Sequence, residues 1–182
     1  MFLDEATTSW INSFAGQSDS LDSLMVAISI AGISVIIMIV ILQWWSLTDA
    51  HHVRHSCVAS GLAFLLGLSV NQFILLFVHR IRPYDNGVTH LIVSKSMDWS
   101  FPSDHATAAI AIAAMFFLKN LKGRAMALGI LGFLVCVSRV YVGTHYVTDV
   151  MGGAITGILS ALFICCLYRE GSKWDRFITN II

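Results

Sequence analysis

The sequence predicts an all-α fold, a bundle of about five membrane-spanning helices preceded by a short interfacial helix. Three observations carry that prediction. Of 182 residues, 57% are hydrophobic and only 12% charged, with a mean hydropathy of +0.76; a soluble globule covers its surface with roughly 25% charged residues. The apolar residues gather into long uncharged runs, several of them near the length that crosses a hydrocarbon core of about 30 Å. Only two prolines interrupt the chain, which suits a protein made almost wholly of helix. A formal net charge of zero gives no footprint for nucleic acid.

The elements follow in order within one membrane-embedded domain, 1–182. Residues 2–14 set Phe2, Leu3, Trp10, Ile11 and Phe14 among polar residues, an amphipathic pattern suited to the membrane interface. Asp4 and Glu5 stand where a signal peptide would carry Lys or Arg, so no cleaved leader is expected. The first span is placed near 24–45, with Trp44 and Trp45 as interfacial anchors. Three histidines among His51, His52, Arg54 and His55 could suggest metal, but they are read as lacking carboxylate or Cys partners, and so as a solvated or headgroup-facing loop. The second span, 58–78, is interrupted by Asn71 and Gln72, which suit interhelical hydrogen bonding or a pocket. The third apolar segment, 106–118, covers only about 20 Å at 1.5 Å per residue. Its span is therefore set at 104–118, and the polar residues before it are expected to sink toward the membrane. The last spans fall near 125–141 and 149–167. Cys57, Cys136, Cys165 and Cys166 lie in apolar runs without metal-ligand spacing and read as small hydrophobes.

Loop charge orients the bundle. Arg54, Lys119, Lys122, Arg124, Arg169, Lys173 and Arg176 share one side; Arg80, Arg82, Lys95 and Arg139 share the other. The positive-inside rule puts the first group in the cytoplasm, so the amino terminus and the 79–103 loop face outward.

Three outward clusters then meet at one end: Arg80-Ile-Arg82-Pro83, Pro102-Ser103-Asp104-His105, and Ser138-Arg139 followed by His145 and Asp149. Snorkelling to headgroups explains one or two arginines at a helix end, but not three alongside two histidines and an aspartate. Guanidinium forks suit phosphate oxygens and stay charged at any working pH. Ser103 and the amides opening the third helix add donors. A histidine can attack phosphorus when a carboxylate holds its other ring nitrogen, and a second can protonate the leaving oxygen. His145 and Asp149 stand four apart, adjacent on one face if that segment is helical. This is a set for phosphoryl transfer without metal.

The pattern R-P, P-S-x-H and S-R-x5-H-x3-D resembles the type 2 phosphatidic acid phosphatase superfamily, which also holds the vanadium haloperoxidases. The resemblance implies His145 as nucleophile through a phosphohistidine, Asp149 as its orienter and His105 as general acid. Arg82, Arg139 and Ser103 would bind phosphate, in an antiparallel helical bundle that requires no metal or cofactor. Two positions depart from the family pattern. Leu75 stands where the first motif usually opens with Lys, so Arg80 or Lys95 is the candidate replacement charge, although headgroup contact suits Arg80 and solvation suits Lys95. Asp104 stands where Gly is usual and is a helix cap or a pocket residue. F-P-S-D-H-A-T, with Leu21-Asp22-Ser23 and Asn71, resembles the bacitracin-resistance undecaprenyl pyrophosphate phosphatases over about residues 20–168. The resemblance implies a polyprenyl pyrophosphate lipid as substrate, in the plasma membrane, with the site outside. Phosphatidylglycerol phosphate, phosphatidate or another polyprenyl phosphate are alternatives, and a soluble haloperoxidase or an inactive lipid-binding or transport protein are rivals of other classes. Tyr141 and Tyr146 read as interface belt.

Overall fold

The computed structural model describes residues 2–180. Its helices are α1 (Phe2–Asn12), α2 (Asp19–Leu42), α3 (Ala50–Leu75), α4 (Asp104–Leu118), α5 (Lys122–Tyr141), α6 (Val147–Leu167) and α7 (Lys173–Thr179), with a 3₁₀ turn at Gln43–Trp45. No strand occurs among the described residues. α2 with the 3₁₀ turn, α3, α5 and α6 are each long and apolar enough to cross a membrane. The protein is a multi-pass helical membrane protein.

The short helix α4 is the hub. Its fifteen residues extend about 22 Å, yet it packs against α3, α5 and α6 at once, and nine of the fifteen are buried. Protein rather than lipid surrounds it, so it need not match the membrane's thickness. Small side chains permit this closeness: Ala106, Ala108, Ala109, Ala111 and Ala113 are all buried. α6 answers with Gly153 and Gly157, where an added Cβ would collide with the carbonyls of Ser103 and Thr107. α2, by contrast, buries only Ser29 and Ile36 and turns Ile30, Met38 and Leu42 outward.

The helix bounds differ from the apolar runs for a physical reason. α3 begins at Ala50, eight residues before the apolar stretch, because its polar first turns are held by the carboxyl-terminal tail. His52 reaches Glu170 (2.9 Å) and the Lys119 carbonyl (2.7 Å). His55, fully buried, has Nδ1 2.8 Å from Asp175 Oδ1 and stacks on Tyr168. The reading of these histidines as a solvated loop is therefore corrected: their carboxylate partners lie more than a hundred residues away. Among the described residues no three His, Cys, Asp or Glu side chains form a group that could hold a metal. Tyr141 and Tyr146 are likewise buried rather than part of an interfacial belt.

Candidate active site

At the end of the bundle opposite α7, α5 stops at Tyr141 and the chain doubles back. Gly143, at φ +84°, makes the reversal, and a Cβ there would strike the His90 carbonyl. The turn folds onto the end of α5: Thr144 Oγ1 donates to the Arg139 carbonyl (2.8 Å), and the amides of Thr144 and His145 point to the same oxygen. The five residues between Arg139 and His145 thus bring the histidine back beside the arginine. α6 opens with Tyr146 as N-cap, and the Asp149 carboxylate accepts from the Tyr146 amide (2.9 Å).

His145 is 4% exposed. Its Nδ1 lies 2.8 Å from the Ser100 carbonyl, which can only accept, and its Nε2 lies 3.3 Å from Arg82 Nη1, which can only donate. The network therefore assigns the proton to Nδ1 and leaves Nε2 unprotonated, its lone pair accepting from Arg82. Burial pushes this imidazole down to about 4, reinforced by Arg139 and Arg82 and opposed by Asp149, so it is neutral at ordinary pH.

The contact between His145 and Asp149 differs from the sequence expectation. Nδ1 and Asp149 Oδ2 are 3.7 Å apart, an ion-pair distance and not a hydrogen bond. His145 precedes the helix, so helical i, i+4 adjacency does not apply. Ser100 stands between them: its carbonyl faces His145 while its hydroxyl donates to Asp149 Oδ2 (2.5 Å). Ser100 is fully buried and belongs to none of the motifs.

His145 borders a cavity of about 120 Å³ lined also by Arg82, Arg139, His105, Asp104, Trp99 and Leu75, among others. That is space for about four waters, on the scale of a phosphate group and far below that of a lipid tail. Arg82 is pinned by the carbonyls of Asp98 (2.8 Å) and Thr144 (3.0 Å). Arg139 donates to Ser29 (2.6 Å), which explains the buried serine on the otherwise lipid-facing α2. Asp104 accepts from Asn71 Nδ2 (2.7 Å), which also donates to Thr107 (2.8 Å), so the amide in α3 ties α4 to the cavity wall. Ser103, the N-cap of α4, is fully buried with no hydrogen-bond partner for Oγ among the described residues.

Neither candidate replacement for the missing lysine reaches the cavity. Lys95 is exposed and pairs with Asp85 (3.0 Å). Arg80 is turned toward Asp149 (2.6 Å) and Asp4 of α1 (2.6 Å). Leu75 itself lines the cavity, so that wall carries no cation. The larger clefts, of about 450 and 760 Å³, are apolar and lie between α2 and α3 and along α4, α5 and α6.

A helical membrane bundle holding two histidines and two arginines around a phosphate-sized cavity is the architecture of a membrane lipid phosphatase. The PAP2 superfamily model matches residues 56–172, and the chain belongs to that superfamily. It is 33% identical over 149 residues to the undecaprenyl-diphosphatase BcrC of Bacillus subtilis, covering 82% of this chain and 76% of the relative. Over 100 residues it is 34% identical to phosphatidylglycerophosphatase B of Bacillus subtilis, covering 50% and 47% of the two chains. In fold it is similar to the crystal structure of a transmembrane PAP2 type phosphatidylglycerolphosphate phosphatase from Bacillus subtilis, with a TM-score of 0.69 and 24% identity over 94% of this chain and 87% of that one.

Proposed function

We propose that this phosphatase hydrolyses undecaprenyl pyrophosphate to undecaprenyl phosphate, with its site on the outer face of the plasma membrane. The observation that carries the chemistry is the commitment of His145 Nδ1 to Ser100, which leaves Nε2 unprotonated and 3.3 Å from Arg82, both residues lining the cavity. The terminal phosphate enters between Arg82 and Arg139, with the α4 amino-terminal amides and Ser103 completing its donors. Nε2 attacks phosphorus in line, forming the P–N bond as the P–O bond to the inner phosphate breaks; His105 gives that oxygen its proton. Water, deprotonated by His105, then cleaves the phosphohistidine, releasing phosphate and restoring both histidines.

The similarity to BcrC supports the substrate, since it extends over most of both chains. The cavity suits this reading because it admits the phosphate and leaves the tail in lipid. The relatives named for phosphatidylglycerol phosphate favour that lipid as a second reading.

His145→Ala should lower phosphate release from undecaprenyl pyrophosphate by at least about a thousandfold, as expected for loss of a nucleophile, with helix content unchanged. Retained turnover in the folded variant sinks the mechanism. Initial rates on undecaprenyl pyrophosphate against phosphatidylglycerol phosphate, measured with a chelator present, decide the substrate, and the rates should not respond to the chelator.

A further inference from the structure

Helix α1 presents a polar stripe, Asp4, Thr8 and Asn12, at i, i+4 and i+8 on one face. That face points inward, while Leu3 and Trp10 on the other are exposed. Each member of the stripe holds the segment carrying His145. Asn12 donates to the Tyr141 carbonyl at the end of α5 (2.7 Å) and to the His90 carbonyl (2.9 Å). Thr8 accepts from the Val147 amide (3.1 Å). Asp4 accepts from the Thr148 amide (3.1 Å) and the Thr148 hydroxyl (2.6 Å). Thr8 and Asp4 thereby satisfy the Val147 and Thr148 amides in the first turn of α6, which have no partner inside their own helix.

Asp4 has a second task. Arg80 lies between its carboxylate and that of Asp149, 2.6 Å from each, with its guanidinium carbon 3.9 Å over the centre of the Tyr146 ring. We infer that Asp4 and Arg80 are positioning residues for catalysis: a relay from α1 through Arg80 to Asp149 sets the charge and place of the carboxylate behind His145. The inference rests on the reading of His145 as nucleophile. Arg80 shares its charge between two carboxylates, so Asp149 is neither bare nor fully neutralised. Burial would raise the Asp4 carboxyl, but its bonds to Thr148 and Arg80 hold it below its usual range, and it is charged whenever the enzyme works.

The test compares Asp4→Asn, Arg80→Gln and their double variant with the wild type on one lipid, so the substrate's own ionisation cancels. His145 is faced by Asp149 from α6, Arg139 from α5, His105 from α4 and Arg82 from the 76–103 loop. Removing the negative charge of Asp4 lowers the pH at which His145 is protonated; removing the positive charge of Arg80 raises it. The acid limb of kcat/KM should therefore move down in Asp4→Asn and up in Arg80→Gln. Each single variant should lose about tenfold in kcat with KM within about twofold, and the double variant should lose far less than the product. Thr8→Val, which removes a cap but no charge, should lower thermal stability and leave the acid limb in place. Limbs that do not move, or move the same way in both charge variants, overturn the inference while His145→Ala remains dead. Turnover retained by His145→Ala overturns the reading beneath it as well.

Discussion

Ser100 serves the site with two atoms. Its carbonyl orients His145 and its hydroxyl satisfies Asp149, so the two halves of the residue are separable by mutation. Ser100→Ala keeps the carbonyl, and with it the tautomer, but leaves a buried carboxylate oxygen short of one donor. Losing a hydrogen bond to a buried charged group costs about 1.5–3 kcal/mol. If that loss falls on the transition state, kcat drops roughly ten- to a hundredfold. Initial-rate kinetics in detergent, with KM little changed, would check this; a wild-type kcat would mean that the Asp149 charge alone suffices. Ser100 also marks what could be read from sequence. His105, Arg139 and His145 were legible because their spacing is itself a local device, a helix start or a turn that doubles back, and Arg82 because it stands in the R-P pair of the family pattern. Ser100, Ser29 and Asp4 were not, because each acts on a residue 49, 110 or 76 positions away. Nothing local distinguishes them from other small polar residues.

At the scale of the helices, the α4–α6 seam decides whether His105 and His145 share a cavity. Gly157 lets α6 approach until an added Cβ would fall 2.6 Å from the Thr107 carbonyl and 2.9 Å from the Ala111 amide. Both are backbone atoms that no rotamer change can move aside. Gly157→Ala should therefore push the helices apart, at about 1–3 kcal/mol for overpacking a tight contact. For a chain of this size that is several degrees of Tm, read by thermal unfolding in detergent. Activity should fall further than stability implies, because α4 carries Asp104 and His105. The shortness of the 106–118 run was legible, but the alanine and glycine contacts that close the seam were not, since they pair residues on helices about fifty positions apart. Nor was the start of α3. Hydropathy sees apolar length, and the turn through His51, His52 and His55 is helical because Glu170 and Asp175 meet it from the tail.

Over the whole molecule, the site and the tail lie at opposite ends of the bundle, and the placing of charge argues which end would face the cytoplasm. Seven basic residues lie toward the tail end and four toward the site. The count understates the bias. Of the four, Arg82 and Arg139 line the cavity, and Arg80 is bound between two carboxylates. Only Lys95, with 69% of its side chain exposed, stands at the surface of that end. Positive-inside selection acts on charges that must cross or stay during insertion, and six cations in the 119–124 turn and the tail would have to cross in the reverse topology. We therefore expect Lys95→Cys, in a chain whose four native cysteines are replaced by serine or alanine, to react with a membrane-impermeant maleimide on intact cells. Lys122→Cys in the same background should react only after permeabilisation. The reversed pattern would put the cavity in the cytoplasm, where it would meet lipid pyrophosphates on the inner leaflet instead. Because α1 is fastened to the cavity end through Asp4, Thr8 and Asn12, a third cysteine at the exposed Ser9 should follow Lys95 and not Lys122. Agreement of these two sites would tie the orientation of the amino terminus to that of the active site by experiment.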